Sequence, residues 1–251
     1  MLLIGNELLS GKIQEANLVV LARDLRALGV RLRRVVMVED EIDTIAHEVR
    51  ALASGHEWLF TSGGVGPTHD DVTLEAVAKA FGVSIERRDE LAGLLRGFYG
   101  EKLTDGHLRM ADVPEGTELV SEMDHDPDEV EVGGRKIPWP AILVRNVFVL
   151  PGIPQIFQMK LSAVRARLRK LGATAYVSKA VFLDLDEGVL KPLLDEVVAR
   201  FADVEVGSYP AWIGAGYRTK ITFDGRDAPR IDAAVDAFCA LLPSGEPKRR
   251  E

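Results

Sequence analysis

The chain holds one cysteine in 251 residues, Cys239. That excludes an internal disulfide and makes a reducing, cytoplasmic setting the expectation. Cys239 falls in an apolar helical pattern with Val235, Phe238, Leu241 and Leu242, which reads as core rather than nucleophile. No apolar run approaches the roughly 20 residues of a membrane helix. Met1-Leu2-Leu3-Ile4 is too short, and lacks the basic start, for a signal peptide. It reads as a buried first strand whose opening residues are missing. Basic residues are outnumbered 31 to 39, for a net charge of −8. That balance argues against nonspecific nucleic-acid binding, which needs a basic face. His107 and His125 are isolated, and no histidine–cysteine cluster has zinc spacing. The sequence shows no internal repeat.

Hydrophobic residues make up 47% of the chain, so a core can form, and the length suits one large or two modest domains. Strand-like and helix-like patterns alternate from the start. Residues 2–4, 30–38 and 57–60 read as strands; 18–28, 42–53 and 74–81 read as amphipathic helices, the first and last closed by Gly29 and Gly82. This alternation predicts an α/β fold with a doubly wound, mostly parallel sheet. Right-handed crossovers would bring the strand ends after Ile4, Val38 and Phe60 to one edge. Residues 89–99 and 104–110 predict further helices, and 117–120 a strand. An acidic loop at 122–131 reads as solvated rather than as a metal site. Two strands at 139–144 and 147–150 are joined by Arg145-Asn146, and Pro151-Gly152-Ile153-Pro154 opens a helix to residue 171 that Gly172 ends.

The remainder predicts a smaller α+β unit of βαββα order, ferredoxin-like or KH-like. Its long turn at 207–216 carries Tyr209 and Trp212. The expected division is residues 1–171, 172–243 and a disordered polar tail at 244–251.

The stretch Thr61-Ser62-Gly63-Gly64-Val65-Gly66-Pro67-Thr68-His69-Asp70-Asp71-Val72-Thr73 joins a strand to a helix. Glycines let the backbone approach a ligand closely, and the turn would aim unpaired N–H groups at a phosphate before the helix. Asp70 and Asp71 would repel a bare phosphate, and make sense if a divalent cation lies between. The plainer alternative is a tight turn with Asp71 or Thr73 as helix cap. Two further groups would reach the same edge. Gly5-Asn6-Glu7-Leu8-Leu9-Ser10-Gly11-Lys12 and Asn17 follow the first strand, where Ser10 and Asn17 could instead be helix caps. Asp40 follows the second and could face the same cleft as Asp70 and Asp71, while Asp43 could cap the next helix.

Taken together, these stretches resemble the molybdopterin-binding fold family of MoaB, Mog and CinA type over about residues 1–160. The motifs that carry the resemblance are Gly5 to Gly11 with Asn17, Gly63 to Thr73, and Pro151-Gly152-Ile153-Pro154. Val144-Arg145-Asn146-Val147 and Gly207-Ser208-Tyr209-Pro210-Ala211-Trp212 look most like the molybdopterin-binding-like domain that accompanies FAD synthase, and the smaller unit looks like the KH-like domain of CinA-type proteins. Leu108-Arg109-Met110-Ala111-Asp112 departs from the CinA pattern, which has a more polar, Asn-containing string there.

The resemblance implies one of two activities. The first is metal-dependent pyrophosphate hydrolysis of FAD or ADP-ribose, with magnesium, manganese or cobalt. The second is non-catalytic binding of molybdopterin or a nucleotide cofactor. FAD synthesis is not expected, because no sulfate-reductase-like domain is visible. In the first reading Asp71, Asp40 and Asp70 are the catalytic candidates, and Asp70, Asp71 and Glu7 hold the metal. Gly5, Glu7, Ser10, Lys12, Asn17, Gly63, Gly64, Gly66, Pro67, Thr68, Thr73, Pro151, Gly152 and Pro154 line the substrate. Relatives form dimers or trimers, so a homo-oligomer is expected; a membrane or nucleic-acid partner is not.

Overall fold

A computed structural model describes residues 1–121, 130–132, 135–137, 139–170, 175–211 and 216–251. His125, most of the loop at 122–131, Gly172 and Trp212 lie outside the described residues. The chain divides into two compact units, Met1–Ala173 and Thr174–Glu251.

In the first unit the elements run β1 (Leu2–Ile4), α1 (Asn6–Leu9), α2 (Asn17–Ala27), β2 (Val36–Val38), α3 (Ile42–Gly55), β3 (Leu59–Ser62) and α4 (Thr73–Phe81). There follow β4 (Ile85–Arg87), α5 (Asp89–Tyr99), α6 (Asp105–Leu108), β5 (Asp112–Pro114), β6 (Glu118–Val120), β7 (Val130–Val132), β8 (Arg135–Ile137), β9 (Ala141–Val144), β10 (Val147–Val149) and α7 (Pro154–Lys170). The main sheet has the order β2-β1-β3-β10-β9-β6. The first four strands are mutually parallel; β9 is antiparallel to both its neighbours. The expected doubly wound, mostly parallel sheet is therefore present. The strand expected over 30–38 is confined to Val36–Val38, because the arginine-rich lead-in leaves the sheet.

Side chains of alternate strand residues feed two cores. Leu2, Ile4 and Leu59 pack with Ile45, Val49, Leu74, Val77 and Leu91, so α3, α4 and α5 cover one face. Leu3, Phe60 and Phe148 pack with Leu21, Leu25, Phe157 and Leu161, so α2 and α7 cover the other. Strands β1 and β3 are neighbours, yet the helices that follow them lie on opposite faces. That reversal is a topological switch point, and open α/β sheets hold ligands outside the carboxyl ends of the strands at such a point.

The second unit runs β11 (Val177–Leu183), α8 (Glu187–Arg200), β12 (Glu205–Pro210), β13 (Thr219–Gly225), α9 (Ala228–Ala240) and β14 (Arg249–Arg250). Its sheet order is β12-β13-β11-β14, antiparallel throughout. This is the ferredoxin-like βαββαβ arrangement. The sequence pattern showed only βαββα, and the tail expected to be disordered supplies the last strand. Glu251 and Ala180 exchange backbone hydrogen bonds of 2.8 Å, and Lys248 N donates to Phe182 O. Arg249 also lies over the Phe182 ring at 4.0 Å. A polar tail can pair in this way because an edge strand needs main-chain donors more than apolar side chains.

Candidate functional site

Four loops meet at the carboxyl edge of β2, β1, β3 and β10, and the backbone welds them together. Gly5 N donates to Val38 O at 3.1 Å and Gly63 N to Leu150 O at 3.1 Å. Gly63 has φ +111°, and a Cβ there would run into the carbonyl oxygen of Ile4. A Cβ on Gly152 would stand 3.3 Å from Gly63 Cα. These glycines let three strand ends close on one another. Asn17 fastens them from the side. It is 4% exposed, and its Nδ2 donates to Ser62 Oγ (2.9 Å) and Gly152 O (2.8 Å). Its Oδ1 is buried with no hydrogen-bond partner among the described residues.

Asn17 is not the cap of α2: Glu15 accepts from the N–H groups of Asn17 and Leu18. Ser10 ends α1 as its C-cap, its N–H donating to Asn6 O at 3.0 Å and its hydroxyl to Glu7 O; Ser10 and Lys12 are exposed. Pro154 opens α7 as expected.

The turn from β3 to α4 is held from within. Thr73 is fully buried; its hydroxyl donates to Gly63 O (2.9 Å) and its N–H to Gly64 O (2.9 Å). It lies inside α4, so it ties the turn rather than capping the helix. Asp71 does not cap α4 either. Its Oδ2 accepts from Thr68 N (2.8 Å) and from the Thr68 hydroxyl, closing a loop over Pro67. A Cβ on Gly66 would meet that same oxygen at 2.6 Å. Two of the amides expected to face a ligand, those of Gly63 and Thr68, are thus spent. The N–H groups of Gly64, Val65 and Gly66 have no hydrogen-bond partner among the described residues, and these three residues are half-buried. Three successive free amides beginning at a left-handed glycine (Gly64, φ +65°) are left available to an anion.

Acidic groups gather beside them. Asp40 follows β2 and accepts from Asn6 N at 2.8 Å, so it is turned toward the loop after β1. Burial pushes its carboxyl above the usual 3.8; the Asn6 bond opposes this, and the charges of Glu7, Asp70 and Asp71 add to the rise. Asp70 is exposed, and the Thr68 hydroxyl that would hold its carboxyl low is the one that donates to Asp71 Oδ2, so the two acids compete for one donor. The Glu7 carboxylate folds back over Gly5, 2.6 Å from where a Cβ would stand. Among the described residues, however, no three His, Cys, Asp or Glu side chains stand close enough to hold a metal ion. The expected trio of Asp70, Asp71 and Glu7 is not assembled, because Asp71 is turned onto Thr68 and Glu7 onto Gly5. Donors that are all oxygen still suit a hard divalent cation of the kind held by one or two carboxylates and the substrate's own phosphates.

Arg109 is a neighbour of the site that sequence reasoning passed over. It follows α6, and its Nη1 donates to Thr68 O (3.2 Å) and Nη2 to Glu75 Oε1 (3.4 Å). Only the departure of residues 108–112 from the CinA pattern drew attention to this stretch. Asp43, an expected helix cap, pairs with Lys79 instead.

Comparison with known proteins extends the picture. Residues 1–170 match the family described as "Probable molybdopterin binding domain", and residues 175–251 match "FAD synthase, middle domain". A protein of Archaeoglobus fulgidus is 32% identical over 239 residues, covering 95% of each chain. A "Probable FAD synthase" of Caenorhabditis briggsae is 30% identical over 95% of this chain, which spans 48% of that relative's length. Among solved structures, CinA from Thermoplasma acidophilum, described as of unknown function, superposes with a TM-score of 0.57 at 27% identity, over 66% of this chain and 95% of its own.

Proposed function

The chain belongs to the molybdopterin-binding domain family, and from that premise we propose that it is a divalent-metal-dependent nucleotide pyrophosphatase acting on FAD or ADP-ribose. The observation that supports the reading is the pairing of three free turn amides, Gly64 to Gly66, with the carboxylates of Asp40, Glu7, Asp70 and Asp71, whose charges act on one another at Asp40. Amides of this kind hold phosphate oxygens without cost in charge. A half-buried carboxyl suits a proton acceptor, and an exposed one suits a cation ligand. Asp40, whose carboxyl is raised by burial, takes the proton of the attacking water. Asp70 stays ionised and, with Asp71 or Glu7, would hold the cation. When bound, a divalent cation neutralises diphosphate charge and lowers the pKa of water. Water adds to one phosphorus and the bridging P–O bond breaks, releasing AMP and FMN from FAD, or AMP and ribose 5-phosphate from ADP-ribose.

The relatives named as FAD synthases support a nucleotide ligand, and the first unit's family supports a pterin as the alternative. A non-catalytic cofactor-binding role is the second reading, supported by the family of the first unit. Incubation with FAD and with ADP-ribose, with magnesium, manganese or cobalt and then chelator, separates the two. AMP released only with metal, and lost by about 100-fold or more in Asp71→Ala, is the expected result. Stoichiometric retention of intact ligand would leave the binding role.

A further inference from the structure

We propose that Arg109 is a phosphoryl-binding arm of the same turn, parked on Glu75 until a diphosphate arrives. The inference rests on the reading of the turn as a phosphate site, but not on hydrolysis. Arg109 reaches the turn from a separate segment. Thr104 and His107 form a capping box at the start of α6, and His107 stacks on Tyr99 with ring centroids 3.8 Å apart. Gly106 lies against Pro67, whose carbonyl oxygen would stand 3.8 Å from a Cβ on that glycine. This anchored segment delivers the guanidinium to Thr68 O, two residues beyond the free amide of Gly66. A guanidinium has five N–H donors. Two are engaged, at 3.2 and 3.4 Å, with Thr68 and Glu75.

The bond to Glu75 is easily given up. The two side chains are 40% and 48% exposed, and an exposed pair of this length is weak. A phosphoryl group offers two oxygens to the planar fork, and Arg favours that geometry over a single carboxylate oxygen. The exchange also answers a charge problem. Asp40, Glu7, Asp70 and Asp71 would all repel a diphosphate, and Arg109 is a fixed cation that needs no metal to be present.

Titration with inorganic pyrophosphate and magnesium, followed by calorimetry, tests the assignment without turnover. Arg109→Gln should weaken pyrophosphate binding by about 10-fold or more, and Arg109→Lys should recover part of the loss. Glu75→Gln should tighten binding by about 2- to 5-fold, because it frees the arm. A side chain that only braced the turn would not produce that gain. Wild-type affinity in Arg109→Gln, or unchanged or weaker binding in Glu75→Gln, overturns the proposal. Should Arg109→Gln melt early, Glu75→Gln and Arg109→Lys decide. Protein that binds pyrophosphate through Arg109 yet cleaves no dinucleotide leaves this inference standing and removes the hydrolase reading.

Discussion

Asp40 is driven upward by burial and by the charges of Glu7, Asp70 and Asp71 beside it, which makes pH the natural probe. Asp40 is raised above its ordinary 3.8, so over the interval above that value the native chain keeps a proton that the unfolded chain has released. Its contribution to stability therefore falls as pH rises through that interval. Asp40→Asn keeps an oxygen for the Asn6 N–H but cannot ionise. It is predicted to hold or raise the melting temperature at neutral pH while lowering hydrolysis by about 100-fold or more, as loss of a general base does. Thermal melts and AMP release across pH check both parts; a variant that hydrolyses at the wild-type rate would strip Asp40 of its role. Residue chemistry was partly legible in advance. Gly63, Gly64 and Gly66 could be read as close-approach positions from their spacing alone. That Thr68 would claim Asp71, or that Glu15 would relieve Asn17 of capping, depends on side-chain directions that no spacing encodes.

At the scale of elements, the junctions were more legible than the strand lengths. Gly82 ends α4 in the left-handed conformation, and Arg145-Asn146 joins β10 to β9, because turn chemistry is local. The contribution of Lys160 was hidden. It lies on α7, is 7% exposed, and donates to Trp139 O (2.7 Å) and Pro140 O (2.5 Å). Burial pushes its amine well below the ordinary 10.5. Here the unfolded chain binds the extra proton, so stability rises as pH climbs from the lowered value towards 10.5. Lys160→Met keeps the stem but leaves two carbonyls without their donor. The expected cost is about 1–3 kcal/mol in urea unfolding, with the alkaline gain absent. An unchanged midpoint and unchanged pH slope would show that the amine does nothing for the α7–β9 junction.

At the scale of the whole chain, the alternation of patterns fixed the doubly wound sheet, since each strand with its helix is a nearly self-contained signal. The final strand escaped because Arg249–Arg250 carries no apolar signal and forms only by completing the edge of β11. Deleting residues 247–251 is predicted to cost the second unit about 1–3 kcal/mol and to expose that edge to self-association. Melting and size-exclusion profiles would register both, and a truncated chain that melts and elutes as the full one does would deny the strand its role. Function in this chain rests on the amides of Gly64, Val65 and Gly66 gathering a diphosphate. Backbone amide resonances followed by nuclear magnetic resonance during titration with magnesium pyrophosphate report on them directly. The three signals should shift together, saturably, and return when chelator is added. Saturable binding that moves other amides and leaves these three in place would contradict it.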